Sequence, residues 1–186
     1  MSRAYRINVK ASLERHVAVE DGVCSQLEVL PILEKERMSA LLGDELARRG
    51  FTRDGTTARR AQGQGVTVEV DLTTGTVKVT AEGHADLKLE TNRTAAATLP
   101  EDEALRRKLG EAAQSQLERD AQAEEQLLRR QVTEALEGTL TGLKGELDQA
   151  VTAVTAAALK ARAAELGTVE SVTEGADGSM TIKVRV

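Results

Sequence analysis

Aromatic side chains are almost absent from this sequence. They make up 1% of its 186 residues and are limited to Tyr5 and Phe51. A core must therefore be built from Leu, Val, Ile and Ala, which bury less apolar area per residue than aromatic rings do. This composition favours helix packing and thin sheets over one large globule. It also leaves few rings on which the bases of a nucleic acid could stack.

The sequence also lacks long apolar runs. No stretch approaches the roughly 18 consecutive apolar residues that a membrane-spanning helix requires. The start of the chain, MSRAYRINVKASLERHV, has no apolar segment after its basic residues, unlike a secretory signal. These absences predict a cytoplasmic protein that has no membrane partner.

Residues that commonly carry chemistry are few. Cys24 is the single cysteine, and His16 and His84 are the two histidines. One cysteine cannot form an internal disulfide, and the apolar pattern around Cys24 predicts a buried, inert thiol. The histidines are far apart in sequence, no His/Cys cluster has zinc spacing, and segment 62–65 lacks the Lys-Ser/Thr pair of a phosphate loop. We therefore expect no catalytic residue, cofactor or metal ligand and a protein that is not an enzyme; an enzyme with an unrecognised site is the alternative.

The charge distribution gives no sign of nucleic-acid binding. The formal net charge is -5, so the chain has no overall basic excess to attract phosphates. Basic clusters such as Arg106-Arg107-Lys108 are interleaved with acidic residues such as Glu111, which is typical of a solvated helix face. We expect no nucleic-acid partner.

Strand periodicity dominates the first part of the chain. Apolar residues alternate with other residues from Tyr5 to Val19, as in a half-buried strand. Glu20-Asp21-Gly22 then has turn chemistry, and Val23 to Leu30 is predicted to be the partner strand of a hairpin.

A helix and further strands follow. Apolar residues at helical spacing predict an amphipathic helix near Leu33 to Arg49, with Gly50 as its C-cap. After Phe51 the pattern predicts short antiparallel strands with one buried face. The turns between these strands are predicted at Asp54-Gly55, Gly63 to Gly65, Thr74-Gly75 and Gly83.

The middle of the chain predicts a long helical segment. Asn92 to Leu99 has the composition of a linker, and Pro100 with Glu101-Asp102-Glu103 is a strong helix start. Apolar residues then recur at three- and four-residue steps to Leu166, a spacing that resembles a coiled coil. Three glycines, at 138, 142 and 145, lower helix propensity and predict a bend. We expect a helical hairpin or a kinked arm.

The last segment again has the pattern of a hairpin. Val169 and Val172 precede a turn at Gly175-Ala176-Asp177-Gly178, and apolar residues alternate from Met180 to Val186. Since an isolated hairpin is marginally stable, we expect these strands to complete the N-terminal sheet.

The predicted fold class is therefore α+β. It combines a small antiparallel sheet head with one packed helix and a long helical arm that projects from the head. The expected domains are the head at 1–92, the arm at 93–167 and the C-terminal hairpin at 168–186.

The apolar stripe of the arm is the candidate partner-binding surface. It is represented by Leu117, Leu128, Val132 and Leu136, which offer extended aliphatic contact in a chain with few aromatic anchors. The stripe could bind a partner protein or form a homo-oligomer. The alternative is that the two halves of the arm pack on each other.

Three segments resemble a known family. They are MSRAYRINVKASLERHVAVEDGVCSQLEVLPILEKERMSALLGDELARRGF, the following TRDGTTARRAQGQGVTVEVDLTTGTVKV, and the close LKARAAELGTVESVTEGADGSMTIKVRV. Together they look like the accessory proteins of bacterial FtsH ternary systems, whose gene neighbourhoods encode AAA+ ATPases of FtsH and MoxR type with von Willebrand factor A proteins. The resemblance implies an adaptor or scaffold beside such an ATPase, in stress or defence. It does not imply that this chain hydrolyses ATP.

Overall fold

The computed structural model describes residues 5–97, 102–175 and 179–185 and has the predicted α+β architecture. Its main sheet has the strand order β1-β5-β4-β3-β2, and β6 and β7 form a second sheet. The elements in chain order are β1 (Tyr5–Gln26), α1 (Lys35–Arg48), β2 (Thr52–Asp54), β3 (Thr57–Gly63), β4 (Val66–Asp71), β5 (Thr76–Ala97), α2 (Glu103–Leu166), β6 (Thr168–Glu174) and β7 (Met180–Arg185).

The turn predicted at Glu20-Asp21-Gly22 does not form, because β1 continues through these residues as one strand. Gly22 instead lies where β1 and β5 approach closely. A Cβ at this position would lie 3.1 Å from the carbonyl oxygen of Val79 and 3.3 Å from the methyl group of Thr80. The glycine therefore permits a close backbone approach within a strand and does not mark a turn.

Helix α1 and its C-cap confirm the sequence prediction. The backbone N–H of Gly50 donates to the carbonyl of Ala47, and that of Phe51 donates to the carbonyl of Leu46, each at 3.0 Å. Gly50 has a φ of +83°, the left-handed conformation that this pair of hydrogen bonds requires. The cap leads the chain directly from α1 into β2.

Strands β2 to β5 form an antiparallel meander, as their alternating pattern predicts. Val68 lies opposite Val79 and Val70 opposite Val77, so their side chains share one face of the sheet. This face carries fully buried aliphatic residues, namely Val66, Val68, Val70, Val77, Val79 and Ala81. It forms the core of this part of the chain.

Strand β5 is much longer than predicted. It passes through Gly83 without a turn, and the linker expected from Asn92 is strand as far as Ala97. Alternate residues of this stretch are half-buried, so the pattern continues where the sequence alone looks merely polar and Ala/Thr-rich. Leu99, Pro100 and Glu101 lie outside the described residues.

Helix α2 is one uninterrupted helix of 64 residues, so of the two predicted alternatives, a helical hairpin or a kinked arm, the hairpin is wrong. At its start, the backbone N–H of Leu105 donates to the carboxylate of Asp102 at 2.9 Å. Gly138, Gly142 and Gly145 lie inside the helix without ending it. Each costs about 1 kcal/mol in helix propensity, which the packing of the long buried stripe outweighs.

The chain divides into two compact units. The first unit comprises Met1–Glu20 and Glu82–Glu134. In it, α2 packs on the ribbon of β1 and β5. The guanidinium of Arg15 on β1 donates to both carboxylate oxygens of Glu118 on α2, at 3.1 and 2.7 Å.

The second unit comprises Asp21–Ala81 and Ala135–Val186. Here the guanidinium of Arg60 on β3 binds the carboxylate of Glu146 on α2, at 2.7 and 2.6 Å. Further along α2, the carboxylate of Glu165 accepts a hydrogen bond from the guanidinium of Arg37 on α1. Since α2 is held against other elements in each unit, the expectation that it projects from the sheet is wrong.

The terminal hairpin belongs to the second unit and does not complete the main sheet, contrary to expectation. Strands β6 and β7 pair with each other, with Val172 opposite Ile182 and Val169 opposite Val184. Met180 and residues of α2 line opposite sides of a shallow groove. The predicted turn at 176–178 and Val186 lie outside the described residues.

Candidate functional site

An apolar groove opens in the second unit where β1 ends. Its walls are the segment 27–34, the start of α1, and the turn between β4 and β5. Its volume is about 430 Å³, within the usual size of a ligand-binding cleft. The apolar residues that line it include Leu27, Val29, Leu30, Leu33, Met38 and Leu72.

The segment 27–34 is not part of the strand that was predicted up to Leu30. The backbone N–H of Leu27 donates to the carbonyl of Gly75 at 2.8 Å, and the first residue of β5 follows Gly75. Beyond this point no strand of the described residues lies beside β1, and the chain leaves the sheet and crosses toward α1. Its aliphatic side chains then line the groove.

The turn between β4 and β5 is a rigid wall of the groove. The carboxylate of Asp71 accepts hydrogen bonds from the backbone N–H of Thr73 at 2.8 Å, from its hydroxyl at 2.6 Å, and from the backbone N–H of Thr74 at 2.9 Å. The hydroxyl bond of Thr73 contributes most to lowering the pKa of Asp71 to about 2, followed by the backbone bonds of Thr74 and Thr73. Gly75 closes the turn with a φ of +75°.

The groove has a buried floor and an open rim. Met38, Leu42 and Leu72 are 7%, 2% and 4% exposed and form the floor, whereas Leu30 at the rim is 58% exposed. Glu28 and Lys35 are the ionisable residues among the described ones that line it. This arrangement suits the binding of apolar side chains more than acid-base chemistry. Sequence reasoning missed it because a predicted strand placed Leu27 and Val29 in a sheet.

The predicted partner-binding residues of α2 are mostly covered by the chain itself. Leu117, Val132 and Leu136 are 3%, 4% and 3% exposed, and Leu128 is half-buried. The partner-binding role of these four residues stays a prediction. The structure leaves little surface for a partner at the three buried ones.

The two histidines are neighbours, although their separation in sequence suggested otherwise. Because β1 pairs with β5, the rings of His16 and His84 stack with their centroids 5.9 Å apart. Nδ1 of His16 lies 2.7 Å from a carboxylate oxygen of Asp86. In the described part of the chain, no group of three or more His, Cys, Asp or Glu residues is placed to hold a metal ion.

Cys24 is exposed, so the prediction of a buried thiol is wrong. It lies on β1 at an even-numbered position, the same face as His16, which is also exposed. All residues of β1 from Gly22 to Gln26 are exposed, so the apolar pattern around Cys24 does not place it in the core.

None of the helices in residues 5–97, 102–175 and 179–185 has the length and apolar character needed to cross a membrane.

Comparisons with known proteins place the chain in a family. No curated protein and no solved structure matches the chain significantly. A family model described as FtsH ternary system domain X5 matches residues 1–186. Because the match spans the whole sequence, the chain belongs to the FtsH ternary system domain X5 family.

Proposed function

We propose that this protein is a non-enzymatic adaptor of an FtsH ternary system that binds an AAA+ ATPase in the cytoplasm. Membership of the family supports an accessory role within such a system. A von Willebrand factor A protein of the same system is the second protein to be tested as a partner. The observation that carries the proposal is the apolar groove beside the exposed side chain of Leu30.

The groove suits an apolar segment of a protein. Its buried floor of Met38, Leu42 and Leu72 can accept aliphatic side chains without rearrangement, because the Asp71 turn already holds one wall in place. An anchor residue that fills such a pocket and is screened from water supplies much of the energy of a typical interface. Leu30 would lose its water-exposed surface at the same time.

The charge around the groove defines the partner segment further. Glu28 lines the groove, and Glu34 and Glu36 are exposed at the start of α1. Lys35 is the one cation among the described residues that line the groove. We therefore propose a leucine- or isoleucine-rich segment of the ATPase that is flanked by basic residues.

Binding of the purified partners tests the proposal. The full chain is titrated with the AAA+ ATPase and, separately, with the von Willebrand factor A protein. Leu30→Asp should weaken ATPase binding at least about tenfold, since it places a charge at the apolar rim. Leu127→Asp is the matched control, because Leu127 is 49% exposed on α2 and does not line the groove.

The binding titrations and a turnover assay distinguish the alternatives. Equal binding by the Leu30→Asp variant and the wild type would exclude the groove as the site. If the wild type bound neither protein, the adaptor function itself would be wrong. Catalytic turnover by the purified chain alone would favour an enzyme.

A further inference from the structure

Strand β1 presents an open edge in the first unit. It is the terminal strand of the main sheet, and within the described residues it pairs with β5 alone. The stretch from Tyr5 to Glu20 thus belongs to a long ribbon with β5, beyond the part of β5 that pairs with β4. Unpaired N–H and C=O groups along such an edge are a template for another strand.

The backbone groups that face outward can be identified. Leu27 is hydrogen-bonded to Gly75, Gly22 lies beside Thr80, and His16 lies beside Asp86, so the two strands are antiparallel in one continuous register. In such a pair, alternate residues direct their N–H and C=O groups to opposite edges. The odd-numbered residues therefore bond to β5, and the even-numbered residues face the open edge.

The even-numbered residues also carry a regular charge pattern. Arg6 and Lys10 are positive, Glu14 and Glu20 are negative, and all four side chains lie on the exposed face. In the described part of the chain, neither Lys10 nor Glu14 takes part in an ion pair. The strand thus has a basic first half and an acidic second half.

We propose that β1 pairs antiparallel with β1 of a second copy of this chain, about a two-fold axis at Ser12. In this register each Lys10 lies opposite Glu14 of the other copy, and Arg6 lies diagonal to Glu20. A parallel arrangement in register would place like charges together and is disfavoured. The two copies thereby join their β1–β5 ribbons into one sheet.

The apolar face of the ribbon agrees with this register. Val9, Ala11 and Leu13 are only half-buried under α2, so they retain apolar surface next to the open edge. In the paired strands, Ala11 lies opposite Leu13 and Ile7 opposite Val17. Each copy would cover part of this surface on the other, which adds a hydrophobic contribution to the backbone hydrogen bonds.

The free edge of β5 is a less suitable self-pairing surface. Its exposed face from Glu82 onward carries Glu82, Asp86 and Glu90, with Lys88 as its one Lys or Arg among the described residues. An antiparallel copy of this strand would find no basic half opposite the acidic residues. The charge pattern therefore favours β1 over β5 as the strand that pairs with a second copy.

Cross-linking tests the register directly. In a Cys24→Ser background, Ser12→Cys should form a covalent dimer under mild oxidation by copper phenanthroline, because opposite residues at a hydrogen-bonded position lie about 5.5 Å apart, within disulfide range. Asn8→Cys in the same background is the control on the same face. Its two copies would be offset by about 27 Å and should remain uncross-linked. Cross-linking of Asn8→Cys, or of neither variant, would overturn the proposed register.

Sedimentation of the full chain tests the charge pairing independently. Lys10→Glu or Glu14→Lys alone should weaken the dimer about tenfold, because each creates two like-charge contacts. The double variant exchanges the charges and should restore the wild-type dissociation constant. Lys88→Glu makes the same charge change on β5 and should have no effect. A wild type that stays monomeric well above micromolar concentration, or a double variant that stays as weak as the single ones, would refute the proposal.

Discussion

Arg60 binds both carboxylate oxygens of Glu146, at 2.7 and 2.6 Å, and thereby ties β3 to α2 within the second unit. Its guanidinium also lies 4.3 Å from the ring centre of Phe51, one of the two aromatic residues of the chain. The hydrogen bonds from Arg60 are the main reason that the pKa of Glu146 is below its usual value, although burial partly opposes them.

Glu146→Ala should lower the free energy of unfolding by about 1–3 kcal/mol, because it removes both carboxylate acceptors of the half-buried Arg60 guanidinium, which keeps its hydrogen bond to the carbonyl of Arg49. Urea denaturation of the variant and the wild type measures the change. Glu125→Ala is the control, since Glu125 forms an exposed ion pair with Arg129 on the same helix, and its loss should cost under about 0.5 kcal/mol. Equal effects of the two substitutions would contradict a stabilising role for the Arg60 contact.

Gly83→Ala should destabilise the first unit by about 1–3 kcal/mol. A Cβ on Gly83 would lie 2.6 Å from a methyl group of Val132 and 3.0 Å from one of Leu128, so these closely packed side chains of α2 would have to shift. Gly142→Ala is the matched control: nothing lies within 4 Å of its added Cβ, and it should stabilise the helix by about 0.5–1 kcal/mol. Thermal unfolding should shift in opposite directions for the two variants, and a shift in the same direction would be inconsistent with the close packing at Gly83.

Asp71 should make stability depend on pH in the acid range. Its pKa is about 2 in the folded chain, against an ordinary value of 3.8. Because the folded value is the lower one, the carboxylate stabilises the fold above about pH 4, and this contribution is lost as the pH falls toward 2. Asp71→Asn keeps one oxygen acceptor but cannot ionise. The variant should be less stable than the wild type at neutral pH, and the difference should disappear near pH 2; a difference that is constant with pH would exclude this linkage.

Val132→Asp should unfold or severely destabilise the first unit, by more than about 3 kcal/mol, because it buries a charge at a position that is 4% exposed. Leu127→Asp should change stability by less than about 0.5 kcal/mol, since Leu127 is 49% exposed on the same helix. Circular dichroism during urea unfolding distinguishes the two variants. A stable Val132→Asp protein would mean that the stripe is available to a partner after all.

Several elements could be predicted because short-range interactions specify them. Helix α1 follows from its apolar spacing, and its end follows from Gly50, whose positive φ is favourable without a side chain. The strand β4 follows from Val66, Val68 and Val70, which alternate with polar residues and pair with neighbouring β5 across a short turn.

Features that depend on the pairing of β1 with β5 could not be predicted, because the two strands are far apart in sequence. Gly22 has turn chemistry in isolation, yet its role depends on Val79 and Thr80 of the strand beside it. The stacking of His16 on His84 cannot be predicted from either segment, because nothing near either residue indicates that β1 and β5 pair. The groove could not be predicted, because it is lined by residues that follow β1, and β1 ends where its neighbour β5 begins.

The sequence by itself determined which residues alternate, which recur at helical spacing and where a helix can end, because these properties depend on backbone conformation over a few residues. The tertiary structure alone decided what covers each apolar face. The stripe of Leu117, Val132 and Leu136 is a clear helical pattern, but the same pattern would serve a helical hairpin, a partner or a sheet. In the structure, packing of α2 within each unit buries these three side chains, which requires no second molecule and no loss of its translational freedom.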